Sequence, residues 1–400
     1  MNNDAKTDEE SGNAEYGKIT DHEIEKIRLR HGKVYPITIP FVRYVNQDSI
    51  EHLARAIGDA NPLWMNPEYA RSSRYGKMIA PPALLYAAAW GSWDLRRGQG
   101  LPGVHGLHAG DRWVFYRPLF EGDVIHSTKE PFALDERKGA YAGRSMMQTD
   151  HIRFYNQKDE LIALQEMSAV RVEREAGKKA GKYASIPKAK YTEAEIASID
   201  DEIAAEEVRG NNPRYWEDVM VGDAMQPIIR GPLTVSDMIA WMMGIGSPHI
   251  RSGQHWLEYR RRSPKVAVKD PETGIPQAVE RVHWDPYMAA EIGMPGAYDY
   301  GSQRGAWATH FMTNWAGDDG WVAMCYPKYK GMNFVGDTLR IKGEITGKWV
   351  GKSGISYADC KFDSINQRGD NIMPGIGTFA LPKRGQPLPD FPIDCASDRP

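Results

Sequence analysis

At 400 residues the chain exceeds one ordinary domain and suits two of about 150–200 residues each. Its 41% apolar content is enough for real cores, and a net charge of -3 gives no reason to expect nucleic acid as a partner. No apolar run reaches the roughly 18 residues of a membrane helix, so no membrane partner is expected. Cys325, Cys360 and Cys395 are odd in number and widely spaced, which argues against a disulfide framework or a cysteine-rich metal site.

Residues 1–20 are polar and acidic and lack the apolar core of a secretion signal, so a disordered tail on a cytoplasmic protein is expected. Val34 to Val45 reads as a strand. Asp48 then reads as an N-cap, with Ile50, Leu53, Ala54 and Ile57 on one helical face ended by Gly58. Asn66-Pro67 opens a short helix. Pro81-Pro82 precede the run Ala83 to Trp90, apolar on nearly every side and hence a buried helix. Four strands follow, in Asp111–Tyr116, Asp123–Phe132, Ala142–Tyr155 and Leu161–Val172, with turn residues between them. A sheet wrapped around one apolar helix satisfies that order, and residues 21–173 are read as one domain.

Residues 174–212 break the pattern and read as a linker: a flexible basic stretch, Gly177 to Lys182, then an Ala/Glu-rich helix from Glu193 to Val208. Residues 213–383 then repeat the first half. A strand is expected near Met225–Leu233, a helix capped at Ser236-Asp237, a second buried helix over Tyr298–Asn314, and strands near Val322–Tyr329, Thr338–Lys348, Ile355–Asp363 and Ile372–Leu381. Residues 384–400 read as a tail.

Two anchors support the duplication. Phe120-Glu121-Gly122-Asp123 matches Phe334-Val335-Gly336-Asp337. Trp64-Met65-Asn66-Pro67 matches His283-Trp284-Asp285-Pro286, so a titratable ring survives in one copy only. The halves differ at 249–280, an insertion beside His283 that carries Tyr259-Arg260-Arg261-Arg262 and Lys265 and suits a binding loop or lid. Its His249 and His255 have no metal-like partners at suitable spacing, and no metal site is expected.

Asp59-Ala60-Asn61-Pro62, the short helix after it, and Met78-Ile79-Ala80-Pro81-Pro82 resemble the first half of MaoC-like double hotdog acyl-CoA hydratases and dehydratases (the hydratase 2 group, with a FAS1-like dehydratase N-terminal half). The resemblance covers most of residues 35–172 and 213–382. It implies an α+β double hotdog, each half an antiparallel sheet around a central apolar helix. The implied activity is addition of water to an enoyl thioester or its reversal, with Asp and His sharing the water and a helix N-terminus polarising the carbonyl. His283 matches the motif histidine and Asp285 its last Asp, but the position of its first Asp is Ala278. In the first half Asp59, Asn61 and Pro62 match, while Trp64 replaces the histidine.

His283 is thus the expected acid/base, since an imidazole titrates near neutrality. Asp285 suits an N-cap as well as a catalytic carboxylate, and Asp59 suits a turn. Asp299, where relatives carry the histidine of a His-Gly turn, and Glu280 are the candidate acidic partners of His283; Asp299 also suits a helix cap. Asp59, Asn61, Trp64 and Tyr298 are expected to line the substrate. Gly301 opens the buried helix, whose free N–H groups can stabilise an enolate oxygen. Arg260 and Arg261 are candidates for the phosphates of coenzyme A, which enters as part of the substrate and not as a cofactor.

These residues suggest a hydratase or dehydratase on an enoyl- or 3-hydroxyacyl-CoA with a bulky acyl group, from a degradation pathway, with a small-molecule thioester as its partner and homo-oligomeric. Three alternatives stay open: a hotdog thioesterase, a lyase or hydratase on a non-CoA substrate, and a non-catalytic acyl-binding subunit.

Overall fold

The computed structural model describes residues 17–89, 101, 104–137, 143–173, 186–247, 249–291 and 293–400, apart from the side chains of His105 and Lys265. The expected tail over 1–16, Trp90 at the end of the first buried helix, and the basic stretch 177–182 lie outside these residues.

The first half opens with helix α1, Asp21–Arg28. The strand expected over 34–45 shrinks to β1, Tyr35–Pro36. Pro36 and Pro40 lack the N–H a ladder needs, so this segment serves only as a short edge. Helix α2, Gln47–Ile57, is capped by Asn46 in a reciprocal box with Ser49, not by Asp48. Gly58 ends it at φ 70°, a left-handed position that favours glycine. Two short helices follow, α3, Pro62–Met65, and α4, Pro67–Ser72, each begun by an Asn cap and a proline. A turn at Pro82–Leu84 leads into α5, Leu85–Ala89, fully buried as expected. Strands β2 (His105–Phe115), β3 (His126–Arg137), β4 (Ser145–Tyr155) and β5 (Leu161–Val172) then form an antiparallel sheet in the order β3-β4-β5-β2.

Helix α6, Glu193–Ala204, crosses between the halves. The second half comprises β6 (Ala224–Arg230), α7 (Val235–Ile245, capped by Thr234), α8 (Gly253–Arg262), a small hairpin of β7 (Ala267–Lys269) and β8 (Pro276–Ala278), α9 (Pro286–Glu291), and the central helix α10 (Gly301–Ala316). Strands β9 (Trp321–Pro327), β10 (Leu339–Val350), β11 (Ser356–Asn366) and β12 (Gly375–Leu381) complete it. The inserted residues 249–280 thus have their own helix and hairpin.

The two sheets join edge to edge through β2 and β9, at Trp113 against Cys325 and Val114 against Met324. The result is one ten-stranded sheet in the order β1-β3-β4-β5-β2-β9-β12-β11-β10-β6. Joining the edges removes two unpaired ladders. Helix α10 is buried on almost every side, with Phe311 and Met312 fully enclosed. Its buried polar residues find partners: Gln303 donates to the Asp237 carbonyl and Arg304 to the Gly331 carbonyl. Residues 384–400, expected as a tail, instead return across the sheet. Ile393 N–H donates to the Tyr116 carbonyl, and Ile393 and Cys395 are buried. No helix among the described residues is long and apolar enough to cross a membrane.

Candidate functional site

His283 ends a short 3-10 turn, Val279–His283, just before α9. Its Nδ1–H donates to the Tyr298 carbonyl at 2.8 Å. A carbonyl only accepts, so the ring proton lies on Nδ1 and Nε2 carries the lone pair. The ring stacks on Tyr300 at 3.7 Å between centroids and meets the edge of Tyr298 at 4.8 Å. Burial pushes its pKa down to about 4, against the opposing effect of the Tyr298 and Asp299 backbone. At neutral pH His283 is therefore an oriented, uncharged imidazole with Nε2 unprotonated.

The carboxylates expected to work with His283 have other tasks. Asp285 accepts from the Tyr287 and Met288 N–H groups, capping α9, and pairs with Arg281, which also holds Asp270 at 2.9 Å. That is the structural alternative for Asp285, imposed by Pro286 at the first helical position. The Asp299 carboxylate pairs with Arg304 Nε at 3.1 Å and accepts from the Asn333 amide at 3.1 Å. Burial drives its pKa up to about 7 even though Arg304 opposes the rise. Glu280 accepts from the Ser247 hydroxyl at 2.7 Å, and burial raises it to about 7. The charged form of each is disfavoured, and neither replaces the Asp missing at Ala278.

The duplication is now visible in backbone contacts. Ile79 bridges Phe120 as Tyr298 bridges Phe334, which aligns Pro81-Pro82 with Tyr300-Gly301. In both copies the last Asp of the turn accepts from the N–H three residues back, Asp123 from Phe120 and Asp337 from Phe334. Gly122 and Gly336 take φ of 91° and 94°. One consequence distinguishes the halves. The residue opening the first copy's helical segment is Pro82, which has no N–H, whereas Gly301 opens the 16-residue α10 with a backbone donor at the positive end of the helix dipole. Arg260 and Arg261 lie on the last turn of α8, Arg261 exposed, and among the described residues neither bonds to the groups around His283.

In the first half Asp59 is buried and accepts from the Asn61 N–H at 3.0 Å, while the Asn61 side chain caps α3. The histidine missing from this copy arrives from the other half. His310, on α10, has Nε2 3.4 Å from Asp59 Oδ1 and 2.9 Å from Glu206 Oε1. Arg230 donates to His310 Nδ1 at 2.6 Å and pairs with Glu206 at 2.7 Å. Burial would raise Glu206, yet hydrogen bonds from His310 and Arg230 hold it down at about 2; burial raises Asp59 despite His310. This network ties loop, linker, β6 and α10 together, with Asp59 and His310 fully buried and Arg230 and Glu206 partly so. Sequence reading passed over His310, whose only signal was a histidine in an otherwise enclosed helix. Trp64 and Asn61 line a separate, largely apolar pocket with Tyr75, Leu85, Phe115 and Trp321. Among the described residues no cluster of His, Cys, Asp or Glu is placed to hold a metal ion.

Comparison with known proteins agrees with this architecture. Residues 38–165 match the FAS1-like dehydratase domain region. A solved MaoC-like dehydratase superposes over 89% of this chain and 100% of its own, with TM-score 0.63 and 15% identity. In fold this chain is a double hotdog, similar to that dehydratase. A putative MaoC domain dehydratase from Chloroflexus aurantiacus J-10-fl gives TM-score 0.56 and 15% identity over 89% of this chain and 96% of its own. Among curated proteins, a UPF0336 protein of Parafrankia sp. is 34% identical over 102 residues, 24% of this chain and 66% of that protein. A UPF0336 protein of Streptomyces avermitilis is 31% identical over 100 residues, 24% and 65% of the two chains. The chain thus spans slightly less than two thirds of these two curated relatives.

Proposed function

We propose that the protein is a hydratase or dehydratase interconverting an enoyl thioester and its 3-hydroxyacyl counterpart, with the chemistry in the second half. The observation that carries this reading is His283, held neutral with Nε2 free of the proton and stacked on Tyr300, the residue before the N-terminus of α10. The reaction needs a base for a proton beside the thioester carbonyl and donors for the enolate oxygen that results. His283 meets the first need and the Gly301 N–H the second. Arg261 and its neighbours on α8 suit the phosphates of coenzyme A. The MaoC-like fold and the FAS1-like dehydratase region support the same reaction class.

The thioesterase alternative is disfavoured because α10 carries no Asp or Glu. The test is to offer trans-2-enoyl-CoA thioesters, from crotonyl- to cinnamoyl-CoA, and follow loss of the conjugated enoyl absorbance together with release of free thiol. Hydration without thiol release, abolished in His283→Ala, is the expected result. Thiol release without hydration selects the thioesterase, and turnover unchanged in His283→Ala removes the assignment of the base.

A further inference from the structure

The opening residues of β2 belong to the first half yet reach the start of α10. His108 and Asp111 are three residues apart, which on a regular strand places them on opposite faces. A β-bulge between His108 and Gly110, where the register against β5 slips by one residue, returns them to one side. There the His108 Nε2–H donates to Asp111 Oδ1 at 2.8 Å. Asp111 is fully buried and accepts three further hydrogen bonds: from the Tyr86 hydroxyl at 2.7 Å, the Tyr329 hydroxyl at 2.8 Å and the Gln165 amide at 2.8 Å. Burial by itself would raise its pKa, but His108 and these donors hold the carboxyl below its usual value. Asp111 is a fixed anion.

With Nε2 committed to Asp111, Nδ1 of His108 is turned toward the first residue of α10. A Cβ placed on Gly301 would lie 2.9 Å from it. The His108 side chain keeps 17% exposure, so the ring is not sealed off. On the adjacent residue, His283 stacks on Tyr300. Two imidazoles, one from each half, thus flank consecutive residues at the helix N-terminus.

We propose that His108 is the second acid/base of the site, supplied by the first half in place of the carboxylate that the second half lacks at Ala278, with Asp111 as its positioning residue. The proposal rests on the hydratase/dehydratase reading above. In dehydration, His283 Nε2 takes the proton from Cα of the 3-hydroxyacyl thioester. The C–H electron pair moves toward the carbonyl, whose oxygen becomes an enolate at the Gly301 N–H. The pair then returns to form the Cα–Cβ double bond as the Cβ–O bond breaks. The His108 imidazolium gives its Nδ1 proton to the departing hydroxide, which leaves as water. One proton is gained at His283 and one lost at His108, and exchange with solvent resets both. Hydration is the same path reversed. Asp111 is the counter-charge of the imidazolium and fixes which nitrogen faces the substrate.

The test uses the full chain with the enoyl-CoA series as probe. His108→Gln is expected to lower kcat by about a hundredfold or more, the usual contribution of a general acid, with KM within about threefold and an unchanged melting temperature. His108→Ala is expected to regain part of its turnover when imidazole is added, which a merely structural role would not give. Asp111→Asn is expected to lower kcat more than it changes KM. Full activity in His108→Gln beside an inactive His283→Gln overturns the proposal and leaves the hydratase reading standing. A wild-type protein that hydrates none of the series overturns both.

Discussion

The two halves carry the same turns and the same sheet around the same central element, yet they differ at two adjoining places. The first has Trp64 and Pro82; the second has His283 and Gly301. Each pair is self-consistent. A tryptophan cannot exchange a proton near neutral pH and a proline cannot donate a backbone hydrogen bond, so the first copy is left with an apolar pocket. The imidazole and the open helix N-terminus are the base and the oxyanion site of the proposed reaction. The two copies have diverged at matched positions, and buried contacts such as His310 with Asp59 lock them to each other.

The sharpest way to break this comparison is at the ring. His283→Ala should lower kcat/KM by about a hundredfold to ten-thousandfold, read from enoyl-CoA hydration; a smaller loss would mean that the second copy does not carry the base. Crowding the central helix comes next. A Cβ on Gly305 would lie 2.2 Å from the Tyr86 hydroxyl and 2.5 Å from that of Tyr329. Gly305→Ala is therefore expected to cost about 1–3 kcal/mol of stability, measured by denaturant unfolding.

Acid probes the network between the halves. Glu206 is held at about 2 in the fold against 4.5 as its ordinary value. A carboxyl depressed on folding stabilises the protein above its unfolded pKa and loses that contribution as pH falls through the folded one. The wild type should accordingly lose on the order of 2 kcal/mol from Glu206 between about pH 4.5 and pH 2. Glu206→Gln should flatten that part of the stability profile, and an unchanged slope would remove Glu206 from the network.

The pH–rate profile isolates the ring. With a pKa pushed down to about 4, His283 stays unprotonated and basic well below the ordinary histidine range. The activity assigned to it should decline only as pH falls toward 4, and an acid limb near 6.5 that vanishes in His283→Ala would contradict its buried, neutral state. The smallest expected effect is a null one. Trp64→His in a His283→Ala background should restore no hydration, because Pro82 still offers no N–H; measurable turnover would show that the first copy had lost only its ring.

Much of the architecture was legible along the chain. Alternation marked the long strands β2 to β5, and the paired Phe-x-Gly-Asp turns revealed the duplication, because each needs a glycine at positive φ and an aspartate to accept from the backbone. The expected strand over 34–45 failed where prolines deny the ladder its donors. Of the candidate site residues, Gly301 opens the central helix and His283 stacks on Tyr300 beside it. Asp285 turned out to cap α9, and Asp299 to pair with Arg304.

Local periodicity and turn chemistry act over a few residues, so the sequence alone determined the elements, their repetition, and the single ring that titrates. Which groups meet depends on contacts made across the sheet and between the halves. His310 reaches Asp59 over 251 positions, and His108 reaches Gly301 over 193, only because β2 and β9 join edge to edge and a bulge turns one side chain over. Burial then shifted His283 down and Asp299 up, while hydrogen bonds from His310 and Arg230 held Glu206 down against its own burial, and no spacing in the chain encodes these effects.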